Sequence, residues 1–478
     1  MKRLTLFVIL LVSGITAWGQ NCTQLVMGEF QTVDVREFAA SLDWEVPGQT
    51  VMSRRAPAGA GTTWIDRIHN LPQYMRDFYE IHRHKVQEVL DGGSNYLSDP
   101  ENDNTNVFRP YGDDRTYMVL NVFNKTIEYT FPDSIDFTDP YAKRQFAIAA
   151  INQDVRQYYD EATNFMPYMF MSMSYDFPQA FWIGNYYSWG AAYNMGWDFI
   201  QQQGRDSVEY DYILLYSIKT DDFDYRIDQF RTAGAVADAV TEYKGIVDDI
   251  LADLPTTSRY EQIRYLNNWL TKHNAYSSAY TSGNFSPIVW SPISALRGTN
   301  GAEGPVCEGY ARAFKILCDK IGIPCILAVG NAFDVVGGTP ESHMWDEVQM
   351  TDNNWYAVDV TWNDPTIGGI GINDKVSGAE NEKWLLLGKN DIVSENLTFA
   401  QSHPNSLVFG QGEEKFWDYD NETLIADSKF DPVTGIGYVG SAFAEPAIYS
   451  ILGVKLDKKV GELEPGLYII NGKKVAIR

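Results

Sequence analysis

Apolar side chains in the first half of the chain recur at helical spacing. Between Thr63 and Leu90 the apolar residues at this spacing are Ile65, Ile68, Leu71, Phe78, Ile81 and Val86. They predict a helix, which Pro72 is expected to divide in two because proline lacks the N–H that a helix interior needs. Residues 117–131 alternate between apolar and polar, which predicts a strand. Residues 139–280 are predicted to be mainly helical.

The segment 139–280 contains a dense aromatic stretch and one clear helix start. Aromatic residues crowd residues 165–197. Because such side chains bury large areas, they predict a packed interior rather than a surface that stacks on ligands. Ser258 and Glu261 are three residues apart and form a capping box, so a helix is predicted to start there. This helix is expected to end near His273.

A helix followed by a buried strand is predicted over residues 304–330, GPVCEGYARAFKILCDKIGIPCILAVG. Gly304 and Pro305 cannot continue a helix, so the helix begins close to Cys307. Unpaired N–H groups and the positive end of the helix dipole at this terminus stabilise a thiolate over a thiol. Taken alone, a cysteine in this place is more often a core residue, so further evidence is needed.

Two alternating segments that flank turn residues predict a β-hairpin. HMWDEV and WYAVDVTW stand on either side of TDNN. A hairpin centred on Asp352 places His343 opposite Thr361 and Asp359 opposite Trp345. His343 and Asp359 are then diagonal neighbours on one face, roughly 7 to 8 Å apart at the backbone. An aspartate in an apolar strand is costly to bury without a partner, and its carboxylate is suited to orienting an imidazole.

Composition narrows the classes of protein to consider. The 478 residues are 45% hydrophobic and 21% charged, which is enough for globular cores, and the length suits about two or three domains. The net charge of −25 argues against binding nucleic acid or anionic lipid. Six histidines and four cysteines are too scattered for a multi-metal protein or a disulfide framework. No metal and no organic cofactor are predicted. Cys318 and Cys325 are predicted to be core residues or a local disulfide.

The segments GPVCEGYARAF, HMWDEV and WYAVDVTWND, in this order and spacing, resemble the transglutaminase-like superfamily of papain-type cysteine enzymes. The resemblance covers residues 250–390, approximately. It implies an α+β fold in which a helix packs on an antiparallel sheet. It also implies that Cys307 is the nucleophile, that His343 is the general base and acid, and that Asp359 orients the imidazole.

The resemblance extends to residues around these three. Aromatic positions of the family, which are expected to line the substrate cleft, are matched by Tyr310, Trp345 and Trp362. The backbone N–H of Cys307 is one expected donor to the oxyanion. Trp290 and Tyr276 are both candidates for the second donor, and the sequence does not choose between them.

The implied chemistry is acyl transfer through a cysteine thioester. Water as the acceptor gives a peptidase or amidase, whereas a lysine amine gives a cross-linking transglutaminase. Hydrolysis of protein or peptide amides is the favoured prediction because many exported bacterial members of the superfamily resemble proteases. A surface protein that uses the fold as a non-catalytic binding module is the alternative from a different class.

Both ends of the chain predict export. Residues 1–19 combine two basic residues, a short apolar run and a small-residue end, which is typical of a signal peptide. No segment is predicted to span a membrane. The last thirty residues or so, with PGLYII followed by GKKV, resemble the C-terminal secretion tails of Bacteroidetes proteins. A β-strand cap on the preceding domain is the alternative for this tail.

These observations predict a chain of four parts. They are a signal peptide at 1–19, a mixed N-terminal region of unknown role at 20–135, a catalytic domain with a helical beginning at 136–410, and a small β-rich tail at 420–478. The protein is expected to be secreted, or held at the cell surface or in the periplasm. Its expected partners are a protein or peptide substrate and the secretion machinery.

Overall fold

The structure is a computed structural model that describes a defined part of the chain. The described residues are 21–34, 63–68, 71–92, 109–110, 116–128, 130–134, 139–182, 186–196, 207–219, 227–230, 233–256, 258–298, 303–333, 341–364, 382–394, 396–404, 406–409, 417–420, 425–432, 448–450, 455–456, 466–470 and 473–477. The signal peptide predicted at 1–19 lies outside them. Helices and antiparallel sheets occur together, which confirms the α+β prediction.

The described residues fall into two compact units that divide between Glu242 and Tyr243, inside one helix. The first unit holds residues 21–34 and the elements from 71 to 242. The second holds residues 63–68 and the elements from 243 onward. The units therefore do not divide near residue 135, because strands from before and after that position pair in one sheet.

The first unit is built on one antiparallel sheet with the strand order β1-β4-β5-β3-β2. Its strands are β1 (Asn21–Asp34), β2 (Arg109–Pro110), β3 (Thr116–Glu128), β4 (Tyr186–Gly196) and β5 (Ser207–Lys219). Its long helices are α1 (Gln73–Leu90) and α2 (Pro140–Asp176), and α3 (Ala233–Ala252) spans the division. β3 confirms the strand predicted at 117–131, and α1 begins after Pro72, where the helical pattern was expected to divide.

The prediction of a mainly helical segment at 139–280 is wrong for residues 186–219, which form β4 and β5. β5 pairs along its full length with β3 and also pairs with β4. β3 is distant from β5 in sequence, and the hydrogen bonds between these two strands override the local preference for a helix. The aromatic prediction is confirmed in the described part, since Phe165, Phe170 and Tyr175 of α2 are buried.

The second unit contains short helices and four further sheets. Its helices, besides the end of α3, are α4 (Arg259–His273), α5 (Ser278–Ser282), α6 (Pro292–Leu296), α7 (Cys307–Lys320), α8 (Val360–Asn363) and α9 (Phe399–Ser402). Its strands are β6 (Cys325–Ala332), β7 (Glu341–Gln349), β8 (Trp355–Val358), β9 (Leu385–Leu387), β10 (Ile392–Ser394), β11 (Leu397–Thr398), β12 (Ser406–Phe409), β13 (Trp417–Asp420), β14 (Ile448–Ser450), β15 (Lys455–Leu456), β16 (Gly466–Ile470) and β17 (Lys473–Ile477).

The central layer of this unit is α7 packed on the antiparallel sheet β6-β7-β8-β9. The core beneath it is apolar and includes Trp345, Trp384 and Phe399. α4 begins where the capping box was predicted, with the Glu261 N–H donating to the Ser258 hydroxyl over 3.2 Å, and it ends at His273. The helix on an antiparallel sheet that the resemblance implied is therefore present.

The hairpin of β7 and β8 has the predicted register but a shorter second strand. Asp346 pairs with Val358 and Gln349 with Trp355, so the hairpin is centred on Asp352. β8 ends at Val358, and the predicted pairing of His343 with Thr361 does not form. The reason is that Asp359 caps the N-terminus of α8 instead of continuing the strand.

The C-terminal strands form a sheet of their own with the order β15-β14-β16-β17. β16 and β17 pair on either side of the predicted turn. A secretion role for this tail stays a prediction. In the described part of the chain, no helix combines the length and hydrophobicity that spanning a membrane requires.

Candidate active site

Cys307 is the first residue of α7, as the sequence predicts, and its side chain is partly exposed. The preceding segment is fixed by a hydrogen bond from the Val306 N–H to the Val289 carbonyl over 3.0 Å. Gly309 is required in the first turn because a Cβ there would lie 2.7 Å from the same carbonyl oxygen. The N-terminus of α7 is thus held tightly against the segment that ends at Trp290.

His343 lies in β7 and faces Cys307 with one side of its ring and Asp359 with the other. Its Nε2 is 2.8 Å from Oδ2 of Asp359, and the Cys307 thiol is hydrogen-bonded to the same imidazole. Since Nε2 is engaged by the carboxylate, Nδ1 is the nitrogen left for the thiol. The structure therefore brings together the three residues that the sequence singled out, in the order thiol, imidazole and carboxylate.

Asp359 is fully buried, and its carboxylate is held by three donors. Oδ1 accepts the Trp362 N–H at 3.0 Å, which is the cap of α8. Oδ2 lies 2.8 Å from Nε2 of His343 and 3.0 Å from Nε2 of His403. A buried carboxylate needs such donors to remain ionised, and each of these is within hydrogen-bond distance.

His403 is the residue that sequence reasoning missed. It directly follows α9 and is 0% exposed, with its ring stacked on Phe399 at a centroid distance of 4.5 Å. It is 44 positions from Asp359 in sequence and belongs to no alternating or helical pattern that points to the site. The feature of the sequence that could have drawn attention to His403 is that the chain contains only six histidines.

Burial and neighbouring charges together shift the pKa values of His343, Asp359 and His403. Burial disfavours the imidazolium, but Asp359 and the Cys307 thiol outweigh it and raise the pKa of His343 to about 10. Burial also favours a neutral carboxyl, yet His343 and His403 outweigh it and hold the pKa of Asp359 well below its usual range. Burial lowers the pKa of His403 to about 4 in spite of Asp359. At neutral pH the group thus contains one imidazolium, one carboxylate and one neutral imidazole.

The two candidate oxyanion donors differ in their placement. The Tyr276 hydroxyl is hydrogen-bonded to the backbone N–H of Cys307, and burial together with the neighbouring thiol and Tyr280 raises the pKa of Tyr276. Trp290 packs edge-on against Phe285 at 4.9 Å and against Tyr280 at 6.2 Å. Tyr276 therefore contacts the Cys307 N–H, which is itself an expected oxyanion donor, and donor roles for both Tyr276 and Trp290 stay predictions.

Two of the three expected cleft residues are core residues instead. Tyr310 and Trp345 are 0% exposed, so neither lines a surface cleft. Tyr310 points inward because its hydroxyl donates to Oδ2 of Asp364, and Trp345 belongs to the core under the sheet. Trp362 is half-buried, with its ring 5.4 Å from that of His343, and it alone of the three keeps an accessible surface beside the site.

The described residues include one group with the donor types of a metal site. One ligand atom each from His343, Asp359 and His403 lies within 4.8 Å of the other two. Two imidazoles and a carboxylate suit several divalent transition metals. Both Nε2 atoms already face one carboxylate oxygen at hydrogen-bond distance, and these bonds account for the arrangement. The absence of a metal stays a prediction.

Comparison with known proteins relates the central part of the second unit to a protein family. Residues 246–360 match the family model of the transglutaminase-like superfamily, a range that contains Cys307, His343 and Asp359. These residues are thus similar to a transglutaminase-like domain. The family is one of cysteine-type enzymes, and the matched range ends before His403.

Similar proteins match this domain over part of their length. Kyphoscoliosis peptidase from Homo sapiens is 26% identical over 196 residues, which are 39% of this chain and 28% of the human protein. The Mus musculus protein of the same name is 26% identical over 170 residues, 34% of this chain and 24% of the mouse protein. The chain thus matches about a quarter of the length of these relatives.

Two solved structures are also similar to part of the chain. One is described as a "TGase" and has 16% sequence identity and a TM-score of 0.22, covering 34% of this chain and 43% of its own. The other is described as a "Putative Cysteine Protease" from Cytophaga hutchinsonii and has 16% identity and a TM-score of 0.20, covering 36% of this chain and 59% of its own.

Proposed function

We propose that this protein is a cysteine-dependent acyl-transfer enzyme that hydrolyses protein or peptide amides. The observation that carries the proposal is the connected group at the start of α7, in which the Cys307 thiol is hydrogen-bonded to His343 and Nε2 of His343 is 2.8 Å from the buried Asp359. A partly exposed thiol beside an imidazolium is the arrangement that activates a cysteine nucleophile.

In the first half of the proposed reaction, the Cys307 thiolate attacks the amide carbonyl and forms a tetrahedral intermediate. His343 gives its Nδ1 proton to the departing amine, the C–N bond breaks, and a thioester remains on the sulfur. In the second half, His343 takes a proton from water as the water attacks the thioester. The carboxylic acid leaves, and the thiolate–imidazolium pair is restored.

Asp359 and Tyr276 have supporting roles in this proposal. Asp359 holds the proton on Nε2 of His343, so that Nδ1 faces the sulfur. The developing oxyanion receives the backbone N–H of Cys307, and we assign the Tyr276 hydroxyl as the second donor because it already lies at that N–H. The O–H of tyrosine is suited to donate because burial keeps it protonated.

Hydrolysis is favoured over cross-linking because the matched relatives are named peptidases. The test offers a glutamine-containing peptide to the full chain, with and without a large excess of a dansylated primary amine, and follows the products by mass spectrometry. We expect cleaved or deamidated peptide in both cases and none with C307A. Efficient formation of the amine adduct without hydrolysis would replace the peptidase by a transglutaminase.

The third candidate, a non-catalytic binding module, makes a different prediction about the thiol. For an enzyme, iodoacetamide labelling at mildly acidic pH is expected to be fast at Cys307, because its sulfur is hydrogen-bonded to the His343 imidazole. Cys318 serves as an internal control in the same helix, since it is fully buried. Equally slow labelling of the two cysteines would favour the binding module.

We also propose that the protein is exported, with residues 1–19 as signal peptide and the C-terminal β segment as a sorting signal. The support is the residue pattern at 1–19 and the paired strands β16 and β17 at the other end. Expression in a Bacteroidetes host with and without residues 448–478 tests the tail, because these residues hold the C-terminal sheet and their removal leaves the buried Ile425 and Phe430 in place. We expect the full chain in the medium or on the cell surface and the shortened chain in the periplasm. Equal export of both would leave the tail as a structural cap.

A further inference from the structure

His403 is a buried titratable residue that the proposed reaction does not use. It follows α9, outside the matched range 246–360, and no part of its ring is exposed. Its Nε2 is 3.0 Å from Oδ2 of Asp359, the same oxygen that lies 2.8 Å from His343. The two imidazoles thus converge on one carboxylate oxygen, with their centroids 5.6 Å apart.

The chemistry of the carboxylate decides which way these hydrogen bonds run. An ionised carboxylate only accepts hydrogen bonds, so each imidazole nitrogen that faces it must carry a proton. His403 is therefore protonated on Nε2. Because it is neutral in the folded protein, its Nδ1 has no proton.

Aromatic side chains surround the ring of His403. The ring of His403 stacks on Phe399 with an interplanar angle of 13°, and Trp345 and Trp362 contact it edge-on at 5.0 and 4.7 Å. Asp359 and His343 are titratable groups that act on it, and Trp384 is a further aromatic neighbour at 5.3 Å. An aromatic enclosure keeps the ring neutral, so it donates a hydrogen bond without adding a positive charge beside His343.

We propose that His403 is a positioning residue of this enzyme, whose neutral imidazole donates from Nε2 to Asp359 and holds the carboxylate ionised and aimed at His343. The inference rests on the proposed function. With Oδ1 fixed by the Trp362 N–H, the His403 bond removes the remaining freedom of the carboxylate to turn. His403 acts through Asp359 and not on the substrate.

The first test reads the ring directly and needs no activity. Histidine-selective ¹⁵N spectra of the full chain identify His403 as the ring whose signal is absent in H403F. We expect a neutral ring protonated at Nε2 that does not titrate between about pH 8 and about pH 5. A ring protonated at Nδ1, or one that titrates near its ordinary value, would overturn the proposal.

The second test compares three variants. H403F removes the donor and keeps an aromatic ring, H403Q returns an amide N–H near the position of Nε2, and F399L alters the packing on the same ring while leaving the donor. We expect kcat/KM for the glutamine peptide to fall roughly 10- to 100-fold in H403F, the factor equivalent to one hydrogen bond to a charged group. H403Q is expected to recover most of the rate, and F399L to keep it.

A merely structural role predicts equal losses in H403F, H403Q and F399L, together with equal losses in thermal stability, and that result would refute the proposal. A further readout is the pH dependence of Cys307 alkylation by iodoacetamide. This profile is expected to change in H403F, because the carboxylate that pairs with His343 loses one of its donors, and to return to that of the wild type in H403Q.

The proposed function and the positioning role of His403 can be refuted independently of each other. If the wild-type chain does not hydrolyse or transfer peptides, the proposed function is wrong, while the ring spectra and the alkylation profile still test the coupling of His403 to Asp359. If the wild-type chain is active and H403F matches it in kcat/KM and in the alkylation profile, the proposed function stands and the positioning role is wrong.

Discussion

The two ends of α7 carry the same residue type in opposite surroundings. Cys307 at the first residue is partly exposed and faces His343, whereas Cys318 near the end is fully buried beside Cys325. Burial raises the pKa of the Cys318 thiol, and Cys325 is shifted in the same direction. Both are free thiols in the structure. Of the two predictions for Cys318 and Cys325, core residues or a local disulfide, the structure therefore supports core residues. The surroundings of the two cysteines, and not the residue type, thus distinguish the proposed nucleophile from a core residue.

The largest effect is expected from removing each thiol in turn. C307A should lower kcat by more than about 10³-fold, since the nucleophile is lost. C318A should keep the rate and lower the free energy of unfolding by about 1 kcal/mol, because it removes a buried sulfur. Peptide hydrolysis and urea unfolding measure the two effects. A comparable loss of activity in both variants would contradict the contrast between the two ends.

In the proposed mechanism Asp359 makes the Cys307 end of α7 reactive, so changing Asp359 should make the two thiols more alike. D359N keeps the size of the side chain but turns an acceptor into an amide that favours the wrong tautomer of His343. We expect a drop in kcat of roughly 10³- to 10⁴-fold with little change in KM. Steady-state kinetics measures it, and the native circular dichroism spectrum of the variant serves as the folding control.

The pH dependence of stability should separate the site from the buried end of α7. The pKa of His403 is lowered to about 4 in the folded chain, so its contribution is present above its ordinary value near 6.5 and is lost as pH falls towards 4. His343 has a raised pKa, so its contribution is complete below 6.5 and does not vary in this window. Wild type should therefore lose about 3 kcal/mol relative to H403F between these pH values. Urea unfolding at several pH values checks this, and parallel curves would contradict it.

The smallest effect tests the tight packing at the start of α7. G309A places a Cβ 2.7 Å from the Val289 carbonyl oxygen and should cost about 1 to 3 kcal/mol of stability. G245A is the matched control in α3, because its Cβ would meet nothing within 4 Å, and it should be neutral or stabilising. Thermal unfolding compares the two. Equal melting temperatures would mean that the segment before Cys307 yields easily.

The local sequence pattern predicted those parts of the site whose structure is determined by residues close together in the chain. The turn TDNN set the hairpin centre at Asp352, with Asn353 in the left-handed region at φ 64°, and this register brings His343 near Asp359. The strand end at Val358 was not foreseen because capping of α8 competes with strand continuation only once the tertiary fold exists. The N-cap of α4 at Ser258 was found because the hydroxyl and the Glu261 N–H that it accepts lie within four residues of each other, whereas the reciprocal bond of a capping box is not present.

Features that depend on distant partners were not predictable in this way. β4 and β5 are strands because they pair with β1 and β3, far away along the chain. Tyr310 and Trp345 match family positions, but their complete burial follows from packing that no spacing encodes. His403 reaches Asp359 across 44 positions, so only the folded chain reveals the contact.

The carboxylate of Asp359 accepts hydrogen bonds from groups in three separate places: β7, the start of α8 and the residue after α9. None of these contacts exists in an unfolded chain, where the imidazole of His343 has its ordinary basicity and the thiol its ordinary reactivity. In the proposed mechanism, nucleophilicity at Cys307 therefore requires that the hairpin and the distant histidine are both in place. Under that proposal an unfolded chain has an unreactive thiol, and completing the fold is itself the activation step.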